Sequence, residues 1–311
     1  MDKKILVIGE LNVDLIVSGL VEFPALGREI LANDLSRVLG SSSAICAAGM
    51  ARLGATVDFL GLVGADENGE FITNELNRLH VGTQHLIRDS AIRTGVTLSL
   101  TYPQDRALIT YVGCIPHLSL KHIHPSVFED YHHAHIGSYF LQRGLQPGLR
   151  ELLAQAHRHN LTVSLDTGCD PEGRWGGSEL LTVLDEVDIF LPNEIEARAI
   201  ARVDDVEAAL RQLAQRARQV GVKCGAAGAM SLREGQVIRS PGFVVNTVDT
   251  TGAGDSFDAG FICAHVLQEL PLEESLRFAN ACGALSTTDI GGTAAQPTLG
   301  QVMRFLQRRG Y

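Results

Sequence analysis

The sequence predicts an α/β fold with a central, mainly parallel sheet, helices on both faces and a small β-sheet lid. Strand-like and helix-like patterns alternate along most of the 311 residues. Such alternation is typical of a parallel sheet whose crossover helices cover both faces. Two stretches, residues 14–39 and 95–113, break the alternation and predict the lid. The length suits one large domain or two small ones.

The strand and helix patterns can be placed in order along the chain. The helix predicted at 42–53 has serines at its start and Gly54 just past its end, which are ordinary start and stop signals. The predicted strands are residues 4–9, 56–63, 133–138, 162–166 and 188–191. The predicted helices are residues 42–53, 69–80, 149–159, 194–201, 206–220, 254–267 and 272–287.

The second irregular stretch has the pattern of a hairpin with one covered face. Apolar residues at 96, 98 and 100 alternate with hydroxyl side chains at 97, 99 and 101. The chain then turns at 103–106 and returns through 108–112, which is typical of two antiparallel strands. A small lid built from two separate segments accounts for this pattern. The alternative is that both stretches simply extend the edge of the main sheet.

Composition and charge exclude several classes of protein. The formal net charge is −10, which argues against a nucleic-acid partner because phosphate backbones need a basic surface. The longest apolar runs fall short of a membrane span, and the first strand begins without a signal-peptide pattern. The six cysteines form no C-x-x-C pair, so we expect reduced thiols. A cytoplasmic enzyme is the simplest interpretation.

The most informative motif is Asp-Thr-Thr-Gly-Ala-Gly-Asp at residues 249–255. A tight turn with two glycines lies between an apolar, strand-like run at 243–245 and a helix-like run at 256–267. The amides of Gly252, Ala253, Gly254 and Asp255 would lack helical partners, and the helix dipole favours an anion there. We therefore predict phosphoryl transfer with Asp255 as general base. A plain turn with a helix cap is the alternative.

Other nucleotide and metal motifs are missing from the sequence. There is no G-x-x-x-x-G-K-[ST] motif, and no G-x-G-x-x-G follows the first strand. His132, His133 and His135 do not share one strand face, so we interpret them as isolated histidines rather than as a metal site.

Two signatures resemble those of the ribokinase-like, or PfkB, carbohydrate kinase family. Residues 248–257 resemble its C-terminal signature, and residues 40–54 resemble its N-terminal signature. The resemblance implies a ribokinase-like fold, with one domain over residues 1–311 and the lid built from segments 14–39 and 95–113. It also implies transfer of the terminal phosphoryl group of ATP to a sugar or nucleoside hydroxyl, with ATP and Mg²⁺ as cofactors.

By the same resemblance, the acceptor site would include Asn12, Asp14, Gly40, Ser41 and Ser42. A carboxylate accepts two hydroxyl hydrogen bonds well, which suits a neutral polyol; the alternative for the 12–14 segment is a loop Asx-turn. The family usually has glycine at position 41 and asparagine at position 45. Members that act on sugar phosphates often have lysine at position 42, so the serine here favours an unphosphorylated substrate.

The resemblance also implies a nucleotide site. Asn193 and Glu196 match an N-x-x-E motif in which Glu196 organises hydrated Mg²⁺ through water. The alternative is a capping box at a helix N-terminus. Lys223, Gly225 and Gly228 match the family's Lys-x-Gly-x-x-Gly nucleotide loop, for which a simple hairpin turn is the alternative.

The remaining nucleotide contacts implied by the resemblance are Thr250 and Asn280. Asp249 and Thr251 would belong to a loop that binds a monovalent cation such as K⁺. The segment from Asp166 resembles the family's Asp-x-Asn stretch, with Gly168 at the asparagine position, and forms at most a wall of the site.

The sequence thus predicts an ATP-dependent kinase of a small unphosphorylated sugar or related polyol. Its partners are the sugar substrate and ATP, and an exposed lid sheet favours a homodimer. One alternative is a nucleoside kinase of the same fold. Another is a catalytically silent sugar or nucleotide sensor, which the departures at Ser41, Ile45 and Gly168 keep open.

Overall fold

The computed structural model describes residues 3–102 and 106–311, and the expected hairpin turn at 103–105 lies outside these residues. The strands are β1 (Lys4–Ile8), β2 (Asn12–Ser18), β3 (Asp34–Leu39), β4 (Thr56–Gly64), β5 (Gly82–Asp89), β6 (Gly95–Thr101), β7 (Arg106–Tyr111), β8 (His133–Ile136), β9 (Thr162–Leu165), β10 (Ile189–Phe190), β11 (Gln219–Lys223), β12 (Ala229–Arg233) and β13 (Gln236–Ser240). The helices are α1 (Ser42–Arg52), α2 (Glu67–Arg78), α3 (Leu149–Arg158), α4 (Gly177–Leu184), α5 (Glu194–Ala201), α6 (Val206–Leu213), α7 (Ala253–Ile262), α8 (Leu272–Ser286) and α9 (Leu299–Gln307).

The larger sheet has the order β13-β12-β11-β10-β9-β8-β1-β4-β5. Neighbours from β11 to β5 pair in parallel, whereas β12 and β13 add an antiparallel edge. This arrangement places the carboxyl ends of the parallel strands along one edge, where ligands bind in sheets of this kind.

Alternate side chains of β1 enter two separate cores. Ile5 and Val7 belong to the core formed with α1, α2, α7, α8 and α9, and Leu6 and Ile8 belong to the core formed with α3 to α6. Because side chains alternate across a strand, helices must cover both faces to bury this apolar run. The predicted fold class is confirmed.

The second sheet is smaller and has the order β3-β2-β6-β7. Strands β2 and β6 pair in parallel, whereas β3 and β7 pair antiparallel to their neighbours. Its strands come from the two stretches that break the strand–helix alternation. Among the described residues, none of the helices combines the length and apolar composition needed to cross a membrane.

Three element predictions are wrong in detail. The predicted helix at 206–220 stops at Leu213, and Gln219–Lys223 forms β11 instead. The apolar run at 243–245 is irregular rather than a strand, so the 249–255 motif does not directly follow a strand end. The helix predicted to Leu267 leaves α-geometry after Ile262 and finishes with a π-helical turn. Strands β5 and β13 and helices α4 and α9 were not predicted.

His133 and His135 are buried within β8, and both hydrogen-bond to Ser164 Oγ, at 2.7 and 2.8 Å. Burial lowers the pKa of His133 to about 3 and that of His135 to about 4. The two rings are therefore neutral members of the core.

Candidate active site

The turn before α7 depends on glycine and on close packing. Gly252 caps the helix with φ of +73°, and a Cβ there would lie 2.8 Å from Gly292 Cα and 2.9 Å from Ile45 Cγ2. Only glycine combines this left-handed backbone with so close an approach. Ile45, which stands where the family signature has asparagine, is buried against the loops that contain Gly252 and Gly292. It therefore packs against the turn and supports it.

The N-terminus of α7 offers free backbone donors. The amide of Ala253 donates to the Thr250 carbonyl oxygen at 3.3 Å, and the helical ladder begins at Ser256. Within the described parts of the chain, the amides of Gly254 and Asp255 have no hydrogen-bond acceptor. Since the helix dipole adds partial positive charge at this end, these amides are suited to binding an anion.

Asp255 lies in the first turn of α7, and its Oδ1 accepts a hydrogen bond from Ser42 Oγ at the start of α1. Burial raises the pKa of Asp255 to about 7, the charge of Asp166 adds to the rise, and the Ser42 hydrogen bond and the charge of Lys223 oppose it. A carboxylate with a pKa near neutrality is a suitable general base, because it is both available and basic at working pH.

A buried lysine neutralises the acidic groups beneath Asp255. Lys223 Nζ lies 2.6 Å from Asp166 Oδ2 and 3.0 Å from each carboxyl oxygen of Asp258. Carboxyl oxygens of Asp166, Asp255 and Asp258 all lie within 4.8 Å of one another. The ammonium group of Lys223 thus points at carboxylates, although the sequence places this residue in a nucleotide loop.

Two cavities meet at the N-terminus of α7. The first, here called the apolar cavity, has a volume of about 290 Å³, and the second, the acidic cavity, about 280 Å³. Both are lined by Lys223, Gly225 and Gly254. The apolar cavity is further lined by Ala226, Gly228, Gly242, Phe243, Val245, Thr247, Thr250, Ala253, Phe257, Asn280, Gly283, Ala284 and Thr287. The acidic cavity is further lined by Ser42, Asp166, Gly168, Asn193, Glu196 and Asp255.

Asn193 and Glu196 form the capping box that the sequence offered as an alternative. The Asn193 amide donates to Glu196 Oε2 at 2.9 Å, and Asn193 Nδ2 donates to Oε1 at 2.7 Å. Burial and the charge of Asp166 raise the pKa of Glu196 to about 7. A carboxylate has about four acceptor positions, so Glu196 retains the capacity to accept hydrogen bonds from water in the acidic cavity.

The predicted acceptor residues gather between the second sheet and α1. Asn12 Nδ2 donates to Asp14 Oδ1 at 2.7 Å and to Thr97 Oγ1 at 3.1 Å. A Cβ at position 40 would lie 2.2 Å from Asp14 Oδ1, so only glycine fits there. Burial raises the pKa of Asp14 to about 6. Carboxylate and amide groups are therefore held together at the edge of the second sheet.

Glu10 was not predicted, yet its buried carboxylate fixes the start of α1. It accepts hydrogen bonds from the Ser43 amide at 3.2 Å, from Ser43 Oγ and from Ser138 Oγ at 2.9 Å. Burial raises the pKa of Glu10, although these hydrogen bonds oppose the shift. Glu10 thus ties the acceptor segment to the main sheet.

The predicted cation residues contact the second sheet instead. Asp249 Oδ1 accepts hydrogen bonds from the amide and hydroxyl of Thr251, at 2.9 and 2.7 Å, and Oδ2 accepts one from the Gly291 amide at 2.9 Å. Arg106 Nη1 lies 3.3 Å from Asp249 Oδ1 and also donates to Thr251 Oγ. Arg106 was not among the residues predicted from the sequence.

Some of the missed residues were visible in principle. Asp258 follows Asp255 by three positions, which places both on one helix face. Phe243 and Val245 line the apolar cavity, but the sequence predicted a strand at 243–245, where the structure has an irregular segment. Glu10 and Arg106 gave no comparable signal, because each acts on residues distant in sequence.

Comparisons with known proteins identify the family. Residues 2–299 match the model of the pfkB family of carbohydrate kinases. The chain is 28% identical over 315 residues to a ribokinase from Haemophilus influenzae, covering 99% of both sequences. It is 32% identical over 273 residues to an ATP-dependent ribose-1-phosphate kinase from Halopiger xanaduensis, covering 87% of each.

The fold also matches a solved structure over its full length. A fructokinase with bound ATP from Xylella fastidiosa superposes with a TM-score of 0.85 at 25% identity, and the match covers 100% of both chains. The architecture is therefore the ribokinase-like one that the sequence signatures implied.

Proposed function

The chain belongs to the pfkB family of carbohydrate kinases, and from that membership we propose that it transfers the terminal phosphoryl group of ATP to a hydroxyl of a small, unphosphorylated sugar or related polyol. The observation that carries this proposal is the meeting of the two cavities at the N-terminus of α7. Gly254 lines both of them, and Asp255 lines the acidic one.

The apolar cavity suits the nucleoside end of ATP. Its walls combine apolar side chains with small residues such as Gly225 and Gly228, which allow close approach of the backbone. The phosphates would then extend past Gly254 into the acidic cavity. Asn280 braces this wall, because its Nδ2 donates to the Ser240 carbonyl oxygen at 3.0 Å.

In the proposed reaction, Asp255 accepts the proton of the acceptor hydroxyl. The hydroxyl oxygen bonds to the γ-phosphorus while the bond between that phosphorus and the bridging oxygen of ADP breaks. Amides of Gly254 and Asp255 bind the phosphoryl oxygens as charge spreads over them. Ser42 Oγ, which now occupies the hydrogen-bonding site on Asp255, would yield that place to the substrate.

The acidic cavity is suited to hydrated Mg²⁺. Glu196, Asp166 and Asp255 line it with Lys223 as the one basic side chain among its lining residues, so negative charge predominates when the carboxylates are ionised. We propose that Glu196 holds Mg²⁺ through water, which matches the ion's tendency to keep its hydration shell. When bound, Mg²⁺ neutralises phosphate charge.

A monovalent cation fits the structure less well. The side-chain oxygens of Asp249 and Thr251 already take part in hydrogen bonds with the turn, with Gly291 and with Arg106. We therefore propose no catalytic step that depends on K⁺.

The acceptor site has the character of a polyol site. Asn12 and Asp14 present an amide and a carboxylate, and Ser42 stands where family members that act on sugar phosphates often have lysine. An unphosphorylated sugar is the acceptor that this chemistry favours. The second sheet would serve as a lid that excludes water and so suppresses hydrolysis of ATP.

The proposal is tested by ADP release from MgATP across a panel of sugars, sugar acids and nucleosides. We expect release to depend on one sugar, and Asp255→Asn to lower kcat by about 10²–10⁴-fold with nucleotide affinity largely kept. Asp204→Asn, an exposed matched control, should behave as wild type.

The other outcomes each have a defined meaning. Dependence on a nucleoside would identify a nucleoside kinase of the same fold. Silence across the panel, with ATP still bound, would favour a sensor. An Asp255→Asn variant with near wild-type activity would remove Asp255 from the role of base.

A further inference from the structure

One arginine of the second sheet reaches the turn before α7. Arg106, the first residue of β7, contacts Asp249 and Thr251, which lie 143 and 145 positions further along the chain. The Arg106 side chain is one-third exposed and that of Asp249 one-fifth exposed. Partial shielding from water strengthens this ion pair relative to a fully exposed one.

Asp249 is the residue that fixes the geometry of this turn. Its Oδ1 holds the amide of Thr251, directly before Gly252, and its Oδ2 holds the amide of Gly291, directly before Gly292. A Cβ on Gly252 would come within 2.8 Å of Gly292 Cα, so the two loops are in direct contact. A displacement of Asp249 would therefore also displace the backbone amides of Gly254 and Asp255 at the start of α7.

The guanidinium group occupies the part of the turn where a monovalent cation was expected. Thr251 Oγ donates to Asp249 and accepts from Arg106, so its hydrogen-bonding capacity is used in both directions. Burial acts to raise the pKa of Asp249, but the bonds from Thr251 and Gly291 and the charge of Arg106 hold it below its usual range. Asp249 is thus an anion whose counter-charge comes from the protein.

The same arginine also acts on the acceptor site. Its positive charge lowers the pKa of Asp14, against the larger effect of burial, which raises it. Arg106 therefore lies within electrostatic range of the predicted sugar-binding carboxylate and in direct contact with the turn that binds phosphate. No other arginine or lysine of the described second-sheet strands is hydrogen-bonded to that turn.

We propose that Arg106 takes the place of a monovalent cation at the Asp249–Thr251 turn. Arg106 is a positioning residue: its guanidinium fixes the turn, and the turn fixes the positions of the Gly254 and Asp255 amides. When the second sheet closes over the acceptor, this contact completes the phosphate site. The activity measurements of this inference rest on the proposed kinase function, whereas the thermal-unfolding measurements do not.

The first test compares salts. Thermal unfolding and sugar-dependent ADP release are measured in KCl, NaCl and tetramethylammonium chloride at equal ionic strength. Wild type should show no K⁺-specific stabilisation and less than about a twofold change in kcat. Activation by K⁺ of about tenfold or more, or a K⁺-specific rise in Tm, would overturn the proposal.

The second test removes the guanidinium. Arg106→Ala should lower kcat by about 10–100-fold, as expected for loss of a charge-assisted hydrogen bond, with a smaller effect on KM for ATP. Added guanidinium ion should restore part of the rate, Arg106→Lys should be intermediate, and the Ala variant should gain K⁺-specific stabilisation at the vacated Asp249. Arg37→Ala, which removes an arginine of β3 that contacts residues 67–68, is the matched control.

The outcomes separate this inference from the function. If wild type phosphorylates a sugar and Arg106→Ala keeps the wild-type kcat, the role of Arg106 is wrong and the kinase assignment stands. If no acceptor supports turnover, the kinase proposal fails, and the thermal-unfolding comparison of wild type with Arg106→Ala still decides whether the guanidinium replaces a cation.

Discussion

At the scale of single residues, the buried charges next to Asp255 determine at which pH its carboxyl group is ionised. Burial raises the pKa of Asp258 well above its usual range. The charge of Lys223 and a hydrogen bond with Asp258 hold the pKa of Asp166 below its usual range, against the effect of burial. Lys223 stays charged, because the neighbouring carboxylates outweigh its burial. The charges of Lys223 and Asp166 thus cancel, and the carboxyl groups of the acidic cavity that titrate near neutrality are Asp255 and Glu196.

The pH dependence of the proposed reaction follows from this arrangement. Asp255 must be ionised to accept a proton, and its pKa is about 7, so kcat/KM should fall about tenfold per unit as pH drops below 7. The positive charge of Lys223 lowers the pKa of Asp255. Lys223→Met should therefore move this fall in kcat/KM, the acidic limb of the pH profile, to higher pH. Measuring kcat/KM from pH 5 to 9 tests the shift.

The position of the limb is informative even if Lys223→Met is less stable. A smaller folded fraction lowers every rate equally and leaves the apparent pKa unchanged when stability is constant over the range, which thermal melts would check. Lys121→Met, an exposed substitution, controls for loss of one positive charge. An unchanged limb in Lys223→Met would show that the titrating group is not Asp255.

The contrast between Asp255 and Lys223 shows what sequence can predict at this scale. The position of Asp255 in the first turn of a helix was predictable because its motif is local, with turn, glycines and acid within seven residues. The direction of the Lys223 ammonium was not, because its partner Asp166 lies 57 residues away and Asp258 lies 35 away. The carboxylate of Glu10 was missed for the same reason.

At the scale of elements, the N-terminus of α1 carries a strained residue. Ser41 caps the helix with φ of +71°, in the left-handed region, where the family signature has glycine. Its hydroxyl accepts the Ala44 amide at 3.0 Å and donates to the Glu10 carbonyl oxygen at 2.6 Å. These bonds offset a backbone cost of about 1 kcal/mol.

Two substitutions separate the strain from the cap. Ser41→Ala keeps the left-handed backbone and loses the cap, so unfolding free energy should fall by about 1 kcal/mol or more. Ser41→Gly relieves the strain and loses only a few tenths of a kcal/mol as a cap (~0.3), so it should match or slightly exceed wild type. Urea unfolding measures the order, which we expect to be Gly, Ser, Ala from most to least stable.

Ser178→Ala, on the exposed first turn of α4, is the control for loss of a serine near a helix start. It should change stability by less than about 0.5 kcal/mol. An Ala variant at position 41 as stable as wild type would contradict the capping role of Ser41.

The helices that were predicted well carry their own start and stop signals. Helix α5 begins at a capping box and α1 ends next to Gly54, and both lie close to their predicted bounds. The prediction at 206–220 extended too far because no glycine or proline marks the end of the helix between Leu213 and Gly221. Residues 219–223 form a strand because β11 pairs in parallel with β10 and antiparallel with β12. A local sequence pattern does not show these pairings.

At the scale of the whole molecule, exposed apolar side chains concentrate on the second sheet. Leu26 and Leu31 in the loop between β2 and β3 are fully or largely exposed, and Leu108, Ile109 and Tyr111 of β7 are each more than half exposed. Exposed apolar side chains in such number usually mark an interaction site. A second copy of the chain is the partner that the proposed lid favours, since pairing would cover the same surface on both copies.

We expect the protein to form a homodimer through this surface. Sedimentation velocity on wild type should give about twice the mass of the chain, and Leu26→Asp or Ile109→Asp should shift the protein to the monomer, because a buried unpaired carboxylate would be costly at the interface. Met303→Asp, on the exposed face of α9, introduces the same charge away from the second sheet and should leave the dimer intact. A monomeric wild type, or equal dissociation by all three variants, would show that the apolar surface of the second sheet does not join two copies.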